Sequence, residues 1–172
     1  MRRVRLALAL LAASVLAVPP SPAAEVRRPG GRRALAKALK DVKFSLQKGL
    51  STSAREGRPI SAKYEVEQGK LQLSVYTMKG DTFSEVIVGH RTGKVGKVDA
   101  IASGDDLTAA KAQSGAMAKA KRSLDAAASE AVKENKGFRV VSVMPALKDG
   151  HPVADVPLVK GSDWKTVSEK LD

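Results

Sequence analysis

Between Ile60 and Ile101 the chain changes direction every few residues. Its apolar side chains keep a period of two between glycine-containing reversals. Ile60, Ala62, Tyr64 and Val66 alternate with Ser61, Lys63, Glu65 and Glu67, the pattern of a half-buried strand. Gln68-Gly69 turns the chain, and Leu71, Leu73, Val75 and Thr77 then alternate with Lys70, Gln72 and Ser74. Lys79-Gly80-Asp81 leads into Phe83 to Val88, and Thr92-Gly93 leads into Val95 to Ile101. Reversals this short predict an antiparallel meander, because parallel neighbours need long crossovers. A polar and an apolar face predict a sheet covered on one side only. The alternation degrades at Val86-Ile87-Val88 and at Lys97 and Asp99, so the far edge is expected to have other cover.

The cover is predicted from the residues before the strands. Leu35, Leu39, Val42, Leu46 and Leu50 form one stripe of an amphipathic helix starting near Ala34, with Lys37, Lys40, Lys43 and Lys48 toward water. Gly57 and Pro59 stop it, and Gly49 weakens it locally. A second helix is predicted over 108–135, entered through Ser103-Gly104-Asp105-Asp106, whose aspartates suit a helix N-terminus. Its seam is alanine-rich: Ala109, Ala112, Ala116, Ala120, Leu124, Ala127 and Ala131, beside Met117 and Val132. Such a helix approaches a partner closely while burying little area per residue. Beyond Gly137, strands are predicted at Phe138 to Met144 and Val153 to Val159, with Lys148-Asp149-Gly150 as the turn. The segment from Trp164 to Leu171 suits a strand or a short helix. Pro145, Pro152 and Pro157 lack ladder donors and predict edge-like or interrupted strands.

Helix, stop, strand, turn, strand, turn, strand describes both halves. The strands open on a bulky residue in each (Ile60, Phe138), and Val95/Val98 share their spacing with Trp164/Val167. The expectation is an α+β fold of two units, 34–101 and 108–172, joined by a linker at 102–107. Units this small are near the limit for a core without disulfides, so they should lean on each other, share one sheet or dimerise.

The N-terminus reads as an export signal. Arg2, Arg3 and Arg5 precede a run from Leu6 to Val18 that is apolar apart from Ser14. Pro19, Pro20 and Pro22 follow, and Ser21-Pro22-Ala23 offers small residues for cleavage after Ala23. The apolar run is shorter than the roughly 20 residues that span a bilayer, so no transmembrane segment is expected after cleavage. Residues 24–33 carry Arg27, Arg28, Arg32 and Arg33 among prolines and glycines and are expected to form a disordered basic arm. The chain has no cysteine, which excludes disulfides and thiol chemistry. Its net charge of +12, reduced by the three signal arginines on cleavage, favours acidic partners: an acidic protein face, anionic lipid or a polyanionic wall polymer. Six aromatic residues offer few stacking platforms, and with export this argues against a nucleic-acid partner.

The stretch from Ala62 through Lys63, Tyr64, Glu65, Val66 and Gly69 to Leu73, Val75 and Tyr76, then Phe83 to Val88 and Thr92-Gly93-Lys94-Val95, resembles a PepSY domain. The resemblance covers 34–101 well, and 108–172 more weakly as a divergent second copy without the Thr-Gly-Lys hairpin. The family often has an aspartate just before that hairpin, where this chain has Gly89-His90-Arg91. The resemblance implies cystatin-like units, an envelope location, and a binding role toward peptidases without catalysis of its own.

The remaining side chains point the same way by elimination. His90 and His151 lie beside turns without the convergent donors a metal needs. No serine sits in a Gly-x-Ser-x-Gly elbow. Asp105 and Asp106 read as helix-capping residues before acid–base residues, and Gly93-Lys94-Val95-Gly96 lacks the phosphate-loop spacing. No cofactor, metal or enzymatic activity is expected. The residues expected to face a protein partner are Lys63, Glu65, Glu67, Gln72 and Ser74 on the polar strand face. The four arginines of the arm are the alternative, electrostatic contact. A strand-edge contact with the partner would use main-chain hydrogen bonds.

Overall fold

A computed structural model describes residues 29–172. The expected export signal, Arg27 and Arg28 lie outside these residues. The described chain is α+β: four α-helices and a 3-10 turn around one antiparallel sheet of eight strands. In order these are α1 (Pro29–Ala38), the 3-10 turn (Leu39–Asp41), α2 (Leu46–Ser53), β1 (Arg58–Glu67), β2 (Lys70–Lys79), β3 (Thr82–Val88) and β4 (Val95–Ile101). Then follow α3 (Gly104–Lys119), α4 (Leu124–Glu134), β5 (Arg139–Val140), β6 (Ser142–Lys148), β7 (His151–Lys160) and β8 (Asp163–Lys170). None of the described helices is long and apolar enough to cross a membrane.

Each of the two long predicted helices is broken, and each break is capped by a serine. The stripe residues Leu35, Leu39, Leu46 and Leu50 are buried as expected. The backbone, however, becomes extended at Val42, and the Ser45 hydroxyl caps α2 by accepting the Lys48 N–H at 3.3 Å. The freed N–H groups of Lys43 and Phe44 both donate to the His90 carbonyl (3.1 and 3.2 Å). The second break repeats the first. Ala120 is extended, Ser123 caps α4 by accepting the Ala126 N–H at 3.1 Å, and the N–H groups of Lys121 and Arg122 donate to the Leu171 carbonyl (2.7 and 2.9 Å). Apolar spacing cannot register such a break, because a stripe survives a short interruption that keeps the same face turned inward. Helix α1 begins at Pro29, so Arg32 and Arg33 belong to an ordered helix and not to a disordered arm.

The turns match across the halves as well. Gln68-Gly69 (φ 48° and 76°) joins β1 to β2, and Asp149-Gly150 (φ 52° and 81°) joins β6 to β7. Positive φ at both central residues is the geometry whose twist suits a tight hairpin. Gly80 (φ 59°) and Gly161 (φ 60°) serve the following turns. The counterpart of β8, which is a strand and not a helix, is therefore β3. The shared spacing of Val95/Val98 and Trp164/Val167 paired the wrong strands, and β4 has no equivalent in the second half.

Both halves contribute to a single sheet, joined where β1 meets β6 at Ala62–Val143 and Lys63–Ser142. One further bond, Tyr64 N–H to the Val141 carbonyl at 2.8 Å, extends the joint. The register would place Pro145 opposite Ile60, and a residue with no N–H there ends the ladder. Pro157 sits in the interior strand β7, where its carbonyl accepts the Val141 N–H at the interruption between β5 and β6. The N and O of one strand residue point the same way, so the missing donor faces that interruption.

Helices α2 and α4 cover one face of the sheet, over Ile60, Ala62, Tyr64, Leu73, Val75, Val86, Val143, Val156 and Leu158, all buried. The opposite face is not left to solvent. Helix α3 lies on it, packed on β1, β6 and β7, with the Ser61 hydroxyl donating to Gln113 Oε1 at 2.7 Å. Ser61 and Ser74 are buried there. The expectation of a one-sided sheet fails because alternation reports polarity, and these hydroxyls are hydrogen-bonded under a helix.

Gly49 lies inside α2, where a Cβ would come within 2.6 Å of Leu73 Cδ2, whereas a Cβ on Gly115 in α3 would meet nothing within 4 Å. Gly49→Leu is predicted to destabilise the fold by about 1–3 kcal/mol through overpacking. Gly115→Ala should stabilise it by about 0.5–1 kcal/mol through lower unfolded-chain entropy. Urea midpoints followed by circular dichroism should move in opposite directions for the two variants.

Candidate functional site

The five strand residues expected to face a partner divide sharply. Glu65 is 4% exposed and Ser74 fully buried, Lys63 and Gln72 are half-buried, and only Glu67 is open to solvent. They are nonetheless brought together by the register, Lys63 opposite Ser74 and Glu65 opposite Gln72. The Ser74 hydroxyl donates to Glu65 Oε1 at 3.0 Å and accepts from Gln72 Nε2 at 3.0 Å. Lys63 Nζ sits 2.8 Å from Glu65 Oε2 and 5.4 Å from the centre of the Tyr76 ring. Glu65 thus has a charged or hydroxyl partner on each oxygen, which is what allows a carboxylate to lie this deep.

The network forms the floor of a cleft of about 310 Å³ between the sheet and the first turns of α3. Besides Lys63, Glu65 and Glu67, its walls carry Tyr76, Glu85, Asp105, Asp106 and Gln113. Five carboxylates against one ammonium make it acidic in a chain that is basic as a whole. Burial would lower the Lys63 pKa, but the neighbouring Tyr76 and Glu65 outweigh it and hold that pKa above its ordinary value. Burial pushes the Tyr76 hydroxyl up to about 12. Burial likewise raises Glu85, with the Glu65 carboxylate adding to the shift and Ser74 and Lys63 opposing it. The cleft therefore holds a fixed cation and a carboxyl group that resists ionisation, under a rim of exposed acids.

Period two along β2 sets Tyr76 on the same face as Gln72 and Ser74, and it pairs there with Ser61. Glu85 follows, since it pairs with Tyr76. Asp105 and Asp106 do lie in the first turn of α3, as their capping reading required, and from there they also form the cleft rim. The signal that would have located Glu85 was its carboxylate, the single charged side chain of β3.

A second concave surface lies at the other end of the molecule. Arg32, Arg33 and Lys37 of α1 and Lys40 of the 3-10 turn face Gly161, Ser162 and Trp164 across a trough of about 610 Å³, with the Arg32 guanidinium 5.5 Å over the indole. His90 contributes its carbonyl to the first helix break, and His151 Nδ1 sits 2.8 Å from Asp172 Oδ2 on the surface. No family model matches the chain, and neither a curated protein nor a solved structure matches it.

Removing the partner of a buried charge is costly, so Lys63→Ala should lower stability by about 3 kcal/mol. Glu85→Gln should act in the opposite direction at neutral pH. A carboxyl raised in the folded state loses stability as pH rises from its ordinary value of 4.5 toward its folded value, and the amide escapes that loss. The advantage of Glu85→Gln in urea midpoint should be full near neutral pH and shrink as pH falls below the ordinary carboxylate range. A constant difference across that range would contradict the assignment.

Proposed function

We propose that the protein is an exported, non-enzymatic interaction module of the PepSY type, built of two cystatin-like units. It binds, and restrains, a peptidase in the cell envelope. The arrangement of broken helix followed by three strands, repeated with matched caps and matched turns, supports the two-unit reading. The export signal at 1–23 and the PepSY-like stretch at 62–95 are the sequence grounds for the location and the partner class.

One observation carries the docking site: strand residues that a solvated face would scatter converge with Asp105 and Asp106 on one acidic cleft. Its floor is fixed by buried hydrogen bonds, so little ordering is needed on binding. The exposed rim of Glu67, Asp105 and Asp106 would receive a cationic segment of the partner, and the long-range field of that rim would govern the association rate.

A second reading has its own observation. The trough beside Trp164 lines up Arg32, Arg33, Lys37 and Lys40, with no carboxylate among its lining residues. It would hold the protein electrostatically to anionic lipid or a wall polymer, with Arg27 and Arg28 of the preceding segment adding to the charge.

The two readings separate in a pull-down from envelope extract at low and high salt. A docked protein should survive the high-salt wash, and its retention should fall at least tenfold in Glu67→Lys and Asp106→Lys, which leave the buried network intact. Retention of anionic lipid or polymer alone, stripped by salt and lost in Arg33→Glu/Lys37→Glu, would support the tether and remove the docking role. A retained peptidase should then lose activity in proportion to the protein added.

A further inference from the structure

Strand β4 ends the sheet. It pairs with β3 and with no other strand among the described residues, so the N–H and C=O groups on its outer edge have no ladder partner. It is also the element with no counterpart in the second half. Its sequence, Val95-Gly96-Lys97-Val98-Asp99-Ala100-Ile101, is organised about Val98, one of two large apolar side chains the structure leaves open, at 45% exposure. Lys97 and Asp99 stand on either side of it. By register both share a face with Glu85 and Ile87, while Val98 shares the opposite face with Val86.

We infer that β4 pairs antiparallel with β4 of a second copy of this chain about a two-fold axis at Val98. In that register Lys97 of each copy lies opposite Asp99 of the other, and Val98 meets Val98. Gly96 meets Ala100, two small residues that let the strands close. Directly opposed side chains share a face and lie within contact distance, so four charges alternate in sign along one face while the two valines cover each other on the other. Lys97 Nζ and Asp99 Oδ2 already sit 2.8 Å apart within the strand, with both side chains largely exposed, so the charges are poised in the plane the partner would enter.

Edge strands are commonly protected by like charges, lysines or bulges, which make self-pairing unfavourable. The β4 edge carries one charge of each sign placed symmetrically about an apolar centre, which rewards self-pairing in a single register. The bulge between Ile87 and Val88, opposite the start of β4, ends the regular stretch and limits further extension. The interface is isologous and closed, as a two-fold contact must be. The opposite edge strand, β8, also pairs with one strand only among the described residues, but its side chains contact their own chain: Val167 packs on the core, and Lys165 is hydrogen-bonded to Asn135 and lies over the Phe138 ring.

Sedimentation equilibrium of the purified protein over a range of concentrations should show a reversible monomer–dimer equilibrium. Asp99→Lys, which sets lysine against lysine twice, should raise the dissociation constant about tenfold or more, as should Lys97→Asp. The double exchange Lys97→Asp/Asp99→Lys should restore dimerisation to near its original strength, which a folding defect would not allow. Circular dichroism of each variant checks the monomer fold. Glu169→Lys on β8 should leave the dimer unchanged. A protein monomeric at every concentration, a dimer indifferent to the single exchanges, or one broken by Glu169→Lys would each overturn the inference.

Discussion

The two halves of this molecule meet at the short ladder between β1 and β6, and Tyr64 holds that joint from three directions. Its N–H donates to Val141 across the joint. Its ring is the largest fully buried side chain, at 2% exposure. Its hydroxyl donates to the Phe44 carbonyl at 2.6 Å, in the first helix break. One residue thus ties the sheet, the apolar core and the helix layer together. From the other side, Arg139 of β5 donates to the Leu39 carbonyl at 2.7 Å. Burial pushes the Tyr64 hydroxyl up to about 12, with Arg139 pulling the other way, so the group is a neutral donor at neutral pH. A joint of two ladder partners would be weak alone; the bonds to the Val141, Phe44 and Leu39 carbonyls reinforce it.

The helix breaks serve that arrangement. A continuous helix from Ala34 to Glu56 would present its stripe to one plane, and the stripe was legible at once in Leu35, Leu39, Leu46 and Leu50. What the sequence carried less visibly was Ser45 and Ser123, each a good cap in a place where the stripe argued for continuity. Their neighbours supply paired N–H groups to His90 and Leu171, so each break closes the end of a distant strand. Those contacts are long-range, and periodicity is a local signal. Turn chemistry, by contrast, was legible in full: Gln68-Gly69, Gly80, Asp149-Gly150 and Gly161 all stand where the sequence placed reversals, because positive φ is required there and few residues tolerate it.

The candidate site was half legible for a related reason. Lys63, Glu65, Glu67, Gln72 and Ser74 were grouped correctly because alternation fixes which side chains share a face. Their exposure was misjudged because alternation does not say what covers a face. The cover is α3, whose alanines Ala110 and Ala116 are buried and allow the close approach that seals Ser61 and Ser74. Low side-chain volume in that helix is what makes a polar sheet face buriable. The acidic cleft opens at its N-terminal end, where Asp105 and Asp106 replace alanine.

The division between the two sheet faces follows. The face under α2 and α4 is mostly apolar and supplies most of the hydrophobic energy of the fold. The face under α3 contributes less, since burying Glu65 and Lys63 sets desolvation against attraction with little net gain. Its geometry is instead dictated by directionality: Ser74, Gln72, Lys63 and Glu65 satisfy one another in a single arrangement, and apolar packing would permit several. A surface that must present the same charges each time a partner arrives is better built on such a network than on a greasy seam. The buried network, the acidic rim and the edge of β4, unpaired among the described residues, all border the β1–β4 half of the sheet.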